Sequence, residues 1–297
     1  MNLHDLFHGH DYAVAVRIRK PNVTGIGGGW KLLLPTNFAW CADPFVLEYA
    51  GKQFLFVERM NRWRRIGTIA VGTISSDGTV SKFKDIIKEP FHLSYPNVFE
   101  YDNNVWMIPE SGNNRDIRLY KAVDFPYRWQ FVKQLYRGAN FVDTSFVTYL
   151  NDDTAIMNSY DWDAKSSFFF KFDLKKMIFD LLPNNPFMMN ERCGGNGFES
   201  DGKIFRVLQD CSQQYGSRVL LRKVEGMDFE QGRASDLSYS EILPHDFLLK
   251  TNQKLNTCHT YNRSSHVEVA DVTLDRFSLL EPLFSIRNKF LSDRDDN

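Results

Sequence analysis

Four stretches decide the reading of this chain: DPFVLEYAGKQFLFVE at residues 43–58, YPNVFEYDNNVWMIPE at 95–110, DTSFVTYLNDDTAIMN at 143–158 and GGNGFESDGKIFRVLQ at 194–209. Each opens on an anchor (Asp43, Tyr95, Asp143, Gly194), meets a turn-forming residue eight positions later (Gly51, Asn103, Asn151, Gly202), and closes a mostly apolar run on a polar residue at position fifteen (Glu58, Glu110, Asn158, Gln209). A turn residue at a fixed offset between two apolar runs is a hairpin signature, and registered hairpins are a repeat. Further strand-like runs follow each hairpin, at 66–74, 117–123, 168–172 and 219–224. Successive anchors are 52, 48 and 51 residues apart, the length of four short antiparallel strands and their turns, which is one propeller blade. A fifth, shorter unit begins near His259, and a strand at Ala13–Ile18 can complete it and close the ring, removing exposed sheet edges. The expectation is an all-β chain, a five-bladed β-propeller with mostly four-stranded antiparallel blades, forming one domain over 1–297 with blades starting near 43, 95, 143, 194 and 259 and a flexible tail over 285–297.

Composition agrees with that class. Of 297 residues 43% are hydrophobic and 14% aromatic, with 25 Phe and 12 Tyr, material suited to strands and to a large core. The formal net charge of −1 offers no cationic excess for a phosphate backbone, so no nucleic-acid partner is expected. No run approaches the ~20 apolar residues of a membrane-spanning helix, and residues 1–10 lack the basic start and apolar core of a secretory signal. The four cysteines, Cys41, Cys193, Cys211 and Cys258, have neither close pairing nor zinc-type spacing, so reduced thiols and a cytoplasmic setting are expected. The Gly25–Gly29 run lacks the Lys-Ser/Thr of a phosphate loop.

In a propeller the first strand of each blade lines the axis, so the anchors converge on one pocket. The converging set is Asp43, Tyr95 with His92 beside it, Asp143, the 194–197 glycine run and His259, with Glu58, Glu110, Asn158 and Gln209 forming a ring next to them. Carboxylates and amides hydrogen-bond hydroxyl groups, and Trp40, Tyr95 or Tyr261 can stack on the apolar face of a sugar ring. A carbohydrate or glycoconjugate ligand follows. No cofactor is expected, and the spacing of His92, His259, Asp43 and Asp143 specifies no metal. The Arg62-Trp63-Arg64-Arg65 cluster is a candidate for holding a phosphate or carboxylate at the pocket mouth.

The strings WCADPF (40–45), HLSYP (92–96), IPES (108–111), QDC (209–211) with Tyr215-Gly216, and HTYN (259–262) resemble the propeller domain at the N-terminus of plant glucosamine inositolphosphorylceramide transferases and its bacterial relatives. The resemblance runs from about 40 to 272. It implies a fold similar to the furanosidase-like propellers of glycoside hydrolase families 43, 32 and 117, a ligand-contacting place for Asp210, and a glycosyltransferase as a possible partner. By resemblance to the family 43 glycosidases, Asp43 stands where they carry the general base and Asp143 where an aspartate adjusts the acid. The acid itself, a glutamate opening blade four, has no counterpart at Gly194. Glu191 and Glu110 are the candidates to replace it, with Glu110 preferred because burial and neighbouring negative charge can keep its carboxyl protonated.

Three functions remain in view. The favoured one is an enzyme that cleaves or forms a glycosidic bond in intracellular glycan or glycolipid biosynthesis. The second is a non-catalytic sugar-binding module assisting a glycosyltransferase, and the third is a propeller serving only as an interaction platform.

Overall fold

A computed structural model describes residues 8–19, 29–183, 185–186, 188–189, 191–224 and 255–284, with the short strands Met227–Asp228, Arg233–Ala234 and Ser238–Ile242. The 285–297 segment and residues 25–28 lie outside them. Five antiparallel sheets are arranged as the blades of a propeller. Blade one holds Ala39–Tyr49, Lys52–Asn61, Gly67–Ile74 and Lys84–Ile87. Blade two holds Ser94–Tyr101, Asn104–Ser111, Asp116–Asp124 and Arg128–Arg137, and blade three Phe141–Asn151, Thr154–Asp161, Ser166–Asp173 and Ile178–Leu181, with Met188–Met189 added beside Ser166 and Ser167. Blade four holds Arg192–Ser200, Lys203–Asp210, Arg218–Val224 and Ser238–Ile242. Blade five draws on both ends of the described chain. Leu255–Thr257 and Tyr261–Arg263 pair with Val267–Phe277, which pairs along its whole length with His8–Ile18, which in turn pairs with Lys31–Leu33.

The unbroken apolar runs follow from this arrangement. A second strand lies between two neighbouring blades, so side chains on both of its faces are covered. Phe54 and Phe56 join Tyr95, Val98, Val105 and Met107 of blade two, whereas Leu55 and Val57 join Val14, Val16, Val267 and Val269 of blade five. Equivalent cores fill the seams between blades two and three (Phe99, Ile108, Phe141, Phe170) and between four and five (Val207, Leu221, Val272). Full burial of each such side chain contributes ~1.5–3 kcal/mol. The seam between blades three and four is different. Its apolar cluster is small, Val147, Ile156 and Phe169, and the buried Arg206 runs through it.

The registered turns explain the repeat. Ala50-Gly51, Asp102-Asn103 and Asp201-Gly202 each place two consecutive residues at positive φ, the two-residue hairpin turn that matches strand twist. In blade three the turn comes two residues later, at Asp152-Asp153, where Asn151 Oδ1 accepts the Asp153 N–H at 2.9 Å. Two further register shifts in Phe141–Asn151 then move the pairing. As a result Tyr160, not Asn158, faces Val142 in the place that Glu58 and Glu110 take opposite Ala42 and Ser94.

Candidate functional site

Each of the first three anchors sits in a bulge of its inner strand, and each is left-handed: Asp43 at φ 48°, Tyr95 at 46° and Asp143 at 53°. Such a conformation costs a non-glycine residue ~1–3 kcal/mol and needs support from its surroundings. The support is a relay of carboxylates. Asp271 Oδ2 of blade five accepts the Asp43 N–H at 3.0 Å, Asp43 Oδ2 accepts the Tyr95 N–H at 3.2 Å, and Glu110 Oε2 accepts the Asp143 N–H at 3.1 Å. Acidic side chains therefore hold neighbouring blades in register and are drawn to the axis by the same bonds.

Asp43 Oδ1 also accepts the Thr260 hydroxyl at 2.9 Å and lies 3.2 Å from His259 Nε2, while His259 Nδ1 is 2.9 Å from Asp271 Oδ1. Burial opposes charge on the imidazole, yet the surrounding groups, Asp271 first, hold its pKa well above the ordinary value. Burial likewise opposes charge on Asp43, but the His259 hydrogen bond and charge, with Thr260 and the Tyr95 N–H, keep its pKa below the usual range. Among the described residues, Asp43, His259 and Asp271 are the one trio whose potential metal-ligand atoms lie within 4.8 Å of one another. Both imidazole nitrogens already face carboxylates, which is the arrangement of a buried ion-pair network.

Across the axis the carboxyls behave differently. Glu110 is pushed up to about 8, by burial first and then by Asp143, with Arg192 opposing. Glu58 rises well above its ordinary value through burial, then Asp43 and Glu110. His92 is held low by burial. Its Nδ1 accepts the Gly67 N–H at 3.1 Å, so the ring proton sits on Nε2, 3.5 Å from Glu58 Oε1. Asp143 Oδ2 takes both Nε and Nη2 of Arg192, at 2.7 and 2.6 Å, and Gln209 Nε2 at 3.2 Å. The axis thus gathers Asp43 with its pKa lowered, an Asp143–Arg192 pair, and Glu58 and Glu110 with theirs raised.

Aromatic rings gather around His259. Tyr12 lies 5.0 Å from Trp40 and 5.1 Å from His259, and Tyr215 is 5.6 Å from His259. The Arg192 guanidinium sits 5.0 Å from Tyr215 and 5.1 Å from Trp162. Below the anchors the axis is filled. Asn196 Nδ2 reaches Asn97 Oδ1 at 2.9 Å from two blades away, Asn97 Nδ2 donates to Thr144 O, and Asn262 bridges the Asn196 N–H to Pro44 O. These bonds close the axis at that level.

Asp43, Glu58, His92, Glu110, Asp143, Gln209, His259 and Trp40 come together as expected from their blade positions. The other candidates do not. Tyr95 and Tyr261, expected to stack on a sugar, are packed into the blades: the Tyr95 hydroxyl shares a hydrogen bond with Ser145 Oγ at 2.6 Å, and that of Tyr261 donates to Glu268 Oε1 at 2.7 Å. Asn158 is fully buried in the seam between blades three and four, where it accepts Arg206 Nη2 at 3.0 Å and donates to Phe168 O. Glu191 lies in that same seam, its carboxylate held by Arg206 at 3.2 Å and by Arg222. Asp210 is tied to Arg218 Nε at 2.8 Å at the edge of its strand. Arg62 is ion-paired with Asp11 and Glu281 and lines a separate cavity of about 290 Å³ that shares Trp40.

The sequence reading missed Asp271, Arg192 and Tyr12. Asp271 lies on the second strand of the irregular fifth blade, Arg192 two residues before its anchor, and Tyr12 on the N-terminal strand. Placing His8–Ile18 beside Val267–Phe277 in register was the signal that could have found two of them.

The missing blade-four acid has a steric cause. A Cβ on Gly194 would sit 2.7 Å from His259 O, one on Gly195 2.0 Å from Tyr261 O, and one on Gly197 2.2 Å from Val147 O. Inner strands of blades three, four and five approach so closely that only glycine fits.

The five antiparallel sheets give a five-bladed propeller, a fold shared with solved glycoside hydrolases. Solved structures of this kind include a putative glycoside hydrolase from Bacteroides ovatus (TM-score 0.56, 10% identity, 86% of this chain and 96% of that one). A family 117 glycoside hydrolase of Zobellia galactanivorans aligns with TM-score 0.56 at 11% identity over 93% and 92%. The catalytic domain of a Coprinopsis cinerea family 62 α-L-arabinofuranosidase aligns with TM-score 0.54 at 11% identity over 91% and 98%. At these identities the likeness is one of fold. The sequence is more specific: residues 10–279 match the family model described as Glucosamine inositolphosphorylceramide transferase 1, N-terminal, and the chain belongs to that family. It is similar to the Glucosamine inositolphosphorylceramide transferase 1 proteins of Oryza sativa subsp. indica (31% identical over 216 residues, 66% of this chain, 27% of the relative) and Arabidopsis thaliana (28% over 258 residues, 82% and 32%). The chain therefore spans about a third or less of the length of these relatives.

Proposed function

We propose that this protein cleaves or forms a glycosidic bond in its axial pocket, with Asp43 as base and Glu110 as acid. What supports the reading is a pair of carboxyl groups near the propeller axis shifted in opposite directions: Asp43, bonded by His259, Thr260 and the Tyr95 N–H, is held low, and Glu110 is raised to about 8. Glu110 gives its proton to the glycosidic oxygen as the bond to the anomeric carbon breaks, and Asp43 takes a proton from the incoming water or acceptor hydroxyl. The printed names of the relatives support a glycoconjugate as substrate; a glycosyltransferase partner and a place in cytoplasmic glycan or glycolipid assembly are part of the proposal. A second reading, sugar recognition without chemistry, is favoured by the glycine seam that leaves no acid on blade four.

Calorimetry against sugars, furanosides and sugar nucleotides, with a product assay on the protein and on Asp43→Asn and Glu110→Gln, tests both. Product formed by the parent and lost in both variants is expected. Sugar binding with no product from the parent would replace the enzyme reading by the recognition module, and an unchanged turnover in either variant removes that residue's role.

A further inference from the structure

We propose that the surface shared by blades one and five docks on an anionic lipid bilayer, with apolar side chains of three connecting segments entering the headgroup layer and the arginines of the 62–65 turn meeting lipid phosphates. This surface lies outside the axial site, and its docking does not depend on the chemistry assigned there. Leu34 and Phe38 precede the first strand of blade one, Trp63 stands in the turn after its second strand, and Leu279 and Leu283 follow the last strand of blade five; each is more than half exposed. The three segments touch. Phe38 O accepts the Arg62 N–H at 3.0 Å, Arg276 Nη1 donates to Thr36 O at 2.6 Å, and the Trp63 ring stands 6.0 Å from that of Phe284. Exposed apolar side chains scattered singly are ordinary, whereas several gathered on one surface mark an interaction site.

Charge selects the partner. Arg62 and Arg276 share Asp11 and Glu281, Arg59 and Lys88 share Asp85, and His10 lies against Asp275. Arg64 and Arg65 are exposed and make no ion pair among the described residues, so a positive excess remains on this surface although the whole chain carries −1. The turn that presents them is fixed by its own hydrogen bonds: Asn61 Oδ1 accepts the N–H groups of Trp63 and Arg64 at 2.9 and 3.0 Å, and Asn61 O that of Arg65 at 2.8 Å. A tryptophan suits the headgroup level, leucines the acyl boundary beneath it, and unpaired arginines the negative potential of anionic lipids.

The opposite end of the propeller is acidic at its hairpin turns. Asp102-Asn103, Asp152-Asp153 and Asp201-Gly202 lie there, and the exposed Tyr149 and Leu150 lead into Asp152 and Asp153, so an anionic surface repels that end. The pairing of Trp40 with Met60 and of Ala42 with Glu58 puts the 62–65 turn at the same end of blade one as Asp43, and Trp40 is 5.0 Å from Tyr12 of blade five. Docking through the patch therefore turns the end of the propeller that carries Asp43 and His259 toward the bilayer.

The test mixes the full chain with vesicles of phosphatidylcholine alone and of phosphatidylcholine with phosphatidylserine, and reads the bound fraction by flotation at low and high salt. Binding to the anionic vesicles about tenfold or more tighter than to the neutral ones, and weakened by salt, is expected. The double variants Leu279→Ser with Leu283→Ser and Arg64→Glu with Arg65→Glu should each lower that affinity about tenfold or more, while Leu150→Ser at the opposite end leaves it unchanged. Absent binding, equal binding to the two compositions, or undiminished binding in a patch variant that keeps the parent's unfolding transition overturns the proposal. So does a dimer of the parent that the leucine variant dissolves, since a second copy then covers the patch.

Discussion

Replacing Glu110 by glutamine tests the site without any knowledge of the substrate. The amide keeps the shape of the side chain and an oxygen to accept the Asp143 N–H, now 3.1 Å from Glu110 Oε2, while removing the titrating proton. In the folded protein this carboxyl moves from an ordinary 4.5 to about 8. A carboxyl whose folded pKa is raised binds its proton more tightly in the native state than in the unfolded one. Its stabilising effect is present below 4.5, declines as pH rises through the window to about 8, and is level above it. At ~1.4 kcal/mol per pH unit the ceiling is ~5 kcal/mol, and because the residue is half-buried, ~1–3 kcal/mol is the expected size. Urea unfolding of both proteins at pH 5 and pH 8.5 reads this together with the accompanying change at Glu58, whose raised pKa is due in part to the Glu110 charge. Glu110→Gln should gain ~1–3 kcal/mol on the parent between the two pH values. A stability difference that is the same at both would show that Glu110 is ionised like a surface carboxylate, and the acid role would go with it.

Two further perturbations address the scaffold. Gly195→Ala should destabilise by ~3 kcal/mol or more, since its Cβ would meet Tyr261 O at 2.0 Å, whereas Gly202→Ala, in an open turn at φ 68°, should cost only ~1 kcal/mol; equal melting shifts would refute the close seam. Asp271→Asn removes a partner of both His259 and the Asp43 N–H, so it should cost ~3–5 kcal/mol and bring the His259 titration, followed by NMR, down toward its ordinary value. In the parent, the His259 contribution is complete below its unfolded pKa and is lost as pH rises through the raised folded one. An unmoved His259 titration in the variant would show that Asp271 does not hold the imidazole charged.

What was legible in the sequence was periodic. Hairpin turns and apolar runs recur because each blade solves the same packing problem, and the positions they mark, Asp43, Glu58, Glu110 and Asp143, do reach the axis. What was not legible came from irregularity. Two extra register shifts in blade three carry Asn158 into the seam and bring Tyr160 forward, a slip that offset counting cannot see. Tyr95 and Tyr261 stand at inner-strand positions, but an alternating strand turns such rings either to the axis or into the blades, and Phe45 on one side and Glu268 on the other draw them inward. Asp271 and Tyr12 belong to the one blade built from both ends of the described chain, where no repeat predicts a partner.

The glycine seam and the carboxylate relay are connected. Four left-handed or glycine positions, at Asp43, Tyr95, Asp143 and Gly195, let the inner strands bend toward the axis, and wherever the bent residue is not glycine a carboxylate from the preceding blade takes its N–H. At blade four the bend falls on glycine and the strands close to contact distance, so the relay has neither the space nor the need for an acid there. Asp143 turns instead to Arg192 from the next blade, and its negative charge, left beside Glu110, helps keep that carboxyl protonated. The packing that removes an acid from blade four therefore leaves, on blade two, a carboxyl of raised pKa that also holds an anchor in place.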